Sequence, residues 1–159
     1  MNWEAIGAFA ELLGGVGVIV TLVYLAHQIR QNTQSNRTSV IQLTSDQETA
    51  FWQSISRDEQ IADILLRGNR DLSSLSEVES ARFAAVMMNL FRFWQNQFEL
   101  YREGSMPETL WSSSRSGIVA TLSNAGVRSW WKYSAHMFTD ELRGVVDDIL
   151  REQGSSNGA

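Results

Sequence analysis

Few side chains in this sequence could carry chemistry, and their spacing decides against most of what they could do. There is no cysteine, which removes thiolate nucleophiles, disulfides and cysteine-based zinc sites together. Only two histidines occur, His27 and His136, and neither stands in an H-E-x-x-H pattern, so a metal would have to rely mainly on carboxylates. Asp147 and Asp148 are adjacent, and neighbours diverge on a helix, so they read as a solvated face. His136 lies alone between aromatic-rich segments and reads as a structural hydrogen-bonding group. Gly14, Gly15 and Gly17 do not make G-x-G-x-x-G, and no Gly-Lys-Ser/Thr follows them, so they do not form a phosphate loop. No catalytic residue, metal or cofactor is expected, and the chain does not read as an enzyme.

Two constellations remain. Asn89, Arg92, Asn96 and Glu99 share one face of a helical stretch. They form either a solvent-facing stripe or an internal polar network that could hold a ligand. Arg92 stands out, because a partly buried guanidinium needs an acceptor. The second constellation is Glu11 among small residues. On a helix, Gly7, Glu11, Gly14, Val18, Thr21 and Leu25 fall on one face at steps of three and four. Small residues along a face let helix backbones approach closely in lipid. Glu11 on that face would meet a partner helix or a wet lumen and not lipid.

The element that must position Glu11 is an apolar run. From Ala5 to Ala26 there are 22 residues with one charge. As a helix they measure about 33 Å, against a hydrocarbon core of about 30 Å. Eleven of the 22 are Leu, Ile, Val or Phe. Their insertion is worth about −3 to −7 kcal/mol together, against a cost of about 2.5 to 3.5 kcal/mol for one central carboxylate. Trp3 and Tyr24 bracket the run as interfacial aromatics. Residues 1–5 carry Glu4 and no basic residue, which disfavours a cleaved signal peptide. Arg30 and Arg37 follow the run, so the positive-inside rule places the N-terminus outside and the rest in the cytoplasm.

The remaining pattern is helical throughout. Polar residues 27–39 form a helical extension or a linker. Val40, Ile41, Thr44, Phe51, Trp52 and Ile55 recur at helical spacing. Ser56 with Glu59, Ser76 with Glu79 and Ser105 with Glu108 have capping-box spacing, and Gly68 and Gly104 read as stops. Phe83, Met87, Leu90, Trp94, Phe98 and Tyr101 form the apolar stripe of the longest cytoplasmic helix. Thr139 caps a last helix with Leu142, Val145, Val146, Ile149 and Leu150 inward. Of the adjacent pair Trp130 and Trp131, one is expected in the core and the other against a partner or the bilayer surface.

The segment TLVYLAHQIRQNT, residues 21–33, resembles a group of small uncharacterised bacterial proteins. They share an opening like NWEAIGA, a hydrophobic segment, and then LVYLA-x-QIRQNT. The resemblance continues weakly through FWQNQFELYREG and WWKYSAHMF. It implies a bacterial membrane-associated protein and carries over no activity, ligand or functional residue. Arg128 and His136 only loosely resemble the Arg–His pair of HEPN-type helical ribonucleases, because their spacing is too long for that motif.

The expectation is therefore an all-α protein with an N-terminal transmembrane helix followed by a compact cytoplasmic multi-helix domain. The divisions are a span over 1–26, an extension or linker over 27–39, a helical domain over 40–153 and a disordered tail over 154–159. The expected role is a scaffold or assembly protein of the bacterial inner membrane. Membrane lipid and further copies of the chain are its expected partners. A net charge of −5 argues against nucleic acid. The alternatives are an oligomeric ion channel lined by Glu11 and a soluble helical ligand-binding or regulatory domain.

Overall fold

Only one proline, Pro107, stands in 159 residues to interrupt a helix. The computed structural model describes residues 3–156 and is all-α, with no strand among the described residues. Within the first helix it describes the side chains of 14, 15, 17–31, 42, 44–53 and 55–57. Six α-helices succeed one another: α1 (Trp3–Arg57), α2 (Glu59–Arg70), α3 (Glu77–Arg102), α4 (Glu108–Leu122), α5 (Ala125–Ser134) and α6 (Asp140–Ser156). Short 3-10 turns at Leu72–Ser74 and Ala135–Met137 precede α3 and α6. The chain divides into two units, Met1–Val40 and Ile41–Ala159.

In the first unit α1 passes unbroken through the polar residues 27–39. The described residues from Gly14 to Gln31 are all exposed. Thr21 Oγ1 donates to the Gly17 carbonyl at 2.8 Å, so its hydroxyl is satisfied inside the helix. Among the described residues no helix is long and apolar enough to cross a membrane. The run read from sequence as a span, residues 5–26, lies partly outside them, because the side chains of 5–13 are not described. Gly7 and Glu11 of the expected packing face also fall outside the described side chains.

The second unit is organised along α3, whose apolar stripe is buried from Phe83 through Met87, Leu90 and Phe91 to Trp94. Phe91 is fully buried and gathers the aromatic core. Its ring lies 4.9 Å from Trp131 in a stacked pair, 5.1 Å from Trp94 edge-on and 5.4 Å from Trp130. Both tryptophans of the adjacent pair are thus core residues, at 6% and 3% exposure, and neither is free for a partner. The physical reason is that both indoles converge on one ring cluster with Phe91 and Phe138, whose own centroids are 5.9 Å apart, Phe138 being stacked on Trp131 at 5.1 Å. Helix α6 closes the core with Leu142, Val146 and Ile149. Arg115 holds Glu152 through two hydrogen bonds and Gln153 donates to the Val119 carbonyl, tying α4 to α6.

The caps divide into those local chemistry sets and those tertiary contacts override. The Ser76–Glu79 capping box forms, and Thr139 Oγ1 accepts from the Leu142 N–H at 3.4 Å. Gly104 ends α3 with φ +72°, a conformation that costs glycine little. Ser56 does not cap α2. Asp58 does, accepting from the N–H groups of Gln60 and Ile61, because a carboxylate two residues on is the better acceptor at a helix N-terminus. Pro107, not Ser105, occupies the N-cap of α4. Helix α6 runs past Gly154 to Ser156, where the Ser155 hydroxyl bonds back to the carbonyls of Arg151 and Glu152.

Gly68 does not stop α2. It is buried inside the helix because α2 and α5 cross there at backbone distance. A Cβ built on Gly126 would stand 1.7 Å from the Gly68 carbonyl oxygen, and one built on Gly68 would stand 2.4 Å from the Phe83 ring. Gly126→Ala should therefore force the helices apart and cost at least about 1–3 kcal/mol. Gly144 has open space around its Cβ position. Gly144→Ala should stabilise by about 0.5–1 kcal/mol. Thermal unfolding of the two variants should move in opposite directions, and equal shifts would refute the crossing as the reason for Gly126.

The turn between α2 and α3 is held by charge. Arg67 Nη2 pairs with Glu79 Oε1 at 2.5 Å, its Nε donates to Asp63 at 2.8 Å, and its Nη1 donates to the Ser74 carbonyl. Glu79 also accepts the Ser76 N–H. The Arg67 guanidinium first, and the Ser76 donors second, hold the Glu79 carboxyl down at about 2. A depressed carboxyl stabilises the fold above its unfolded pKa, and the contribution is lost as pH falls from about 4.5 towards about 2. Urea midpoints of wild type and Glu79→Gln should differ at neutral pH and converge across that window. A gap independent of pH would refute the assignment.

Candidate functional site

Three helices of the second unit each turn one face towards a common cavity of about 490 Å³. The end of α1 contributes Thr44, Gln47, Glu48 and Phe51, which recur at steps of three and four and so share a face. Helix α4 contributes Leu110, Ser113, Ser114 and Gly117 in the same register. Helix α3 supplies the opposite wall with Asn89, Phe93, Asn96 and Gln97, while Trp94 and Met106 add apolar surface. Gly117 leaves room for the Trp94 indole, whose Cζ2 would be 3.5 Å from a Cβ there. Trp94 also packs on Phe91, so one side chain joins the aromatic core to the cavity wall.

The chemistry of the lining is mixed. Aromatic and aliphatic surface from Phe51, Trp52, Phe93 and Leu110 alternates with carboxamides and hydroxyls. Among the described residues, Glu48 and Arg92 are the two charged ones at the cavity, one of each sign. The Arg92 guanidinium carbon sits 5.9 Å from the Phe138 ring centroid, a cation–π contact that holds it on the aromatic core. The Ser114 hydroxyl donates to the Leu110 carbonyl at 3.1 Å, which leaves its lone pairs to accept.

Gln97 is the feature that sets this cavity apart. It is 5% exposed, and its Oε1 is buried without a hydrogen-bond partner. A buried acceptor left unpaired costs about 1–3 kcal/mol.

The residues singled out from sequence are distributed unevenly. Asn89, Arg92 and Asn96 border the cavity and are exposed. Glu99 lies off it and accepts from Gln95 Nε2 at 3.4 Å. Among the described residues no hydrogen bond joins any two of these four. Gly14, Val18 and Thr21 are exposed in the first unit and line no described cavity. Asp147, Asp148 and His136 are exposed, and Asp148 pairs with Arg151. Arg128 Nη1 donates to the carbonyls of Leu122 and Ser123 at 2.8 Å each, which closes the C-terminus of α4. Among the described residues no group of three histidine or carboxylate side chains could hold a metal ion.

Sequence reasoning passed over Gln97 itself, although a signal existed. It follows Leu90 by seven and Trp94 by three, on the buried stripe of α3, and a carboxamide on an apolar stripe marks a polar demand in the core. The contributions of Phe51, Ser113 and Ser114 depend on which helices become neighbours and leave no such trace. Compared with known proteins, the chain matches no family model, no curated protein and no solved structure.

Gln97→Met removes the unpaired acceptor at similar volume. It should leave thermal stability unchanged or raise it, since an apolar side chain there abandons no partner. A clear drop in the unfolding midpoint would mean that the carboxamide is held by a bond that supports the fold.

Proposed function

We propose that this chain is a single-span membrane protein that assembles with copies of itself through its N-terminal helix and carries a helical domain on the cytoplasmic side of a bacterial inner membrane. The observation that carries this reading is the exposure of Val18, Ile19, Val20, Leu22 and Val23, each 59–65% accessible. Successive residues of a helix are turned by about 100°, so these five positions cover a little over half of its circumference, and the exposed Tyr24 and Leu25 extend the apolar surface around all but the face of Gly17 and Thr21. An apolar surface this wide suits lipid or the interior of an assembly and is unfavourable in water. The 22-residue run with Glu11 as its one charge has the length to span. Arg30 and Arg37 lie just beyond the run and favour the cytoplasm for the C-terminal part of the chain.

Self-association is supported by the face of Gly14, Val18 and Thr21. A Cβ built on Gly14 meets nothing within 4 Å in the single chain, which leaves room for a second backbone. The Thr21 hydroxyl, already bonded to Gly17, brings no unpaired donor into lipid.

Two measurements test this. The full chain should remain in the membrane pellet after alkaline carbonate extraction and be released by detergent. Recovery in the supernatant without detergent would refute the membrane reading. In detergent, Gly14→Leu should lower the mass measured by light scattering by at least one protomer, and an unchanged mass would refute the packing face.

A further inference from the structure

We propose that the cavity between α1, α3 and α4 binds a small uncharged ring compound carrying hydrogen-bond donors, of the nucleoside class. The proposal goes beyond the membrane reading and does not depend on it, because every lining residue lies within 44–117.

Size and shape come first. A volume of about 490 Å³ falls within the range of about 300–1,000 Å³ typical of small-molecule sites. Trp52, Phe93 and Leu110 offer flat and aliphatic surface to a planar ring. Trp52 is 53% exposed, so part of its indole surface is left for a ligand to cover.

The polar lining then narrows the class. Four carboxamides border the cavity, from Gln47, Asn89, Asn96 and Gln97. A carboxamide presents a carbonyl and an NH₂ side by side, and so pairs with a heterocycle edge that places a donor beside an acceptor. Proteins that read single nucleobases combine this pairing with aromatic stacking. Gln97 adds a polar demand: its Oε1 is unpaired and closed off, and a turn of the carboxamide towards the cavity that the residue lines would bring it to an N–H or O–H donor, such as an exocyclic amine or a ribose hydroxyl.

Charge removes the ionic members of the class. Glu48 and Arg92 oppose each other in sign at the cavity, and no further charged residue lines it among the described residues. Arg92 is the single basic residue there among the described residues, and its contact with the Phe138 ring leaves its N–H donors free, so what weighs against an anion is the lack of a second cation and the presence of Glu48. A phosphate would therefore meet no basic cluster and would face the Glu48 carboxylate. This favours nucleosides over nucleotides. It also separates the site from nucleic-acid binding, which requires several basic side chains along a backbone.

The test uses the full chain in detergent micelles, titrated calorimetrically with adenosine, guanosine, cytidine and uridine and with their 5′-monophosphates. At least one nucleoside should bind saturably and change tryptophan emission, since Trp52 and Trp94 line the cavity. The matching monophosphate should bind about tenfold more weakly or worse. Gln97→Met should weaken the nucleoside by about tenfold without lowering the unfolding midpoint, and Ser113→Trp should abolish binding by filling the space. Absence of saturable binding by all four nucleosides overturns the proposal. Equal affinity for nucleoside and monophosphate overturns the charge argument, and unchanged affinity in both variants overturns the location. The membrane reading fails by a different result, recovery of the chain without detergent.

Discussion

The burial of Phe91 is the constraint from which the second unit is built. Truncating a buried aromatic side chain of this size removes about 3–5 kcal/mol, and each favourable ring pair adds about 0.5–1.5 kcal/mol. Phe91 takes part in four such pairs, with Trp94, Trp130, Trp131 and Phe138. These rings belong to α3, to α5 and to the segment before α6. One residue therefore fixes how three parts of the chain meet. Trp94 extends the cluster to α4 by packing on Gly117 and ends as a wall of the cavity. Arg92 extends it outward over Phe138. The candidate site is in this sense the rim of the aromatic core.

Around that core the remaining contacts are short-range and specific. Where α2 meets α5, two glycines let backbones touch, and the tight fit leaves Asn69 Oδ1 buried without a partner. Where α2 turns into α3, a guanidinium and a carboxylate clamp the turn that a capping box begins. Thr139 is fixed twice, by its own cap on α6 and by its N–H donating to Gln95 Oε1 on α3. These contacts set the angle at which α6 lays Leu142, Val146 and Ile149 into the core.

The two units solve opposite problems. The second buries its large apolar side chains and keeps a small polar-lined space beside them. The first keeps valines, leucines and isoleucines at the surface of one helix, from Val18 to Ile29. That exposed apolar surface is the physical basis of the proposed membrane and assembly reading. The cavity asks for a partner of another kind, small, neutral and able to donate to Gln97.

Much of the fold was legible along the chain. A single proline, recurring steps of three and four, and the Ser76–Glu79 box define α3 and its buried face without any knowledge of neighbours. The same holds for Thr139 and the stripe of α6, and for the apolar run in α1, because helical periodicity and capping are local properties. What only the tertiary structure decided was the meaning of residues whose environment is made by other helices. Gly68 reads as a stop and is a crossing point, because Gly126 arrives against it. Trp130 and Trp131 read as one inside and one outside, yet both are buried, because both indoles join the ring cluster of Phe91 and Phe138. Gln97 stands on the buried stripe of α3 in the sequence, but it becomes a wall residue of a cavity only when α1 and α4 supply the other walls. Sequence determines what a residue offers to its own helix; packing determines what is left for it to bind.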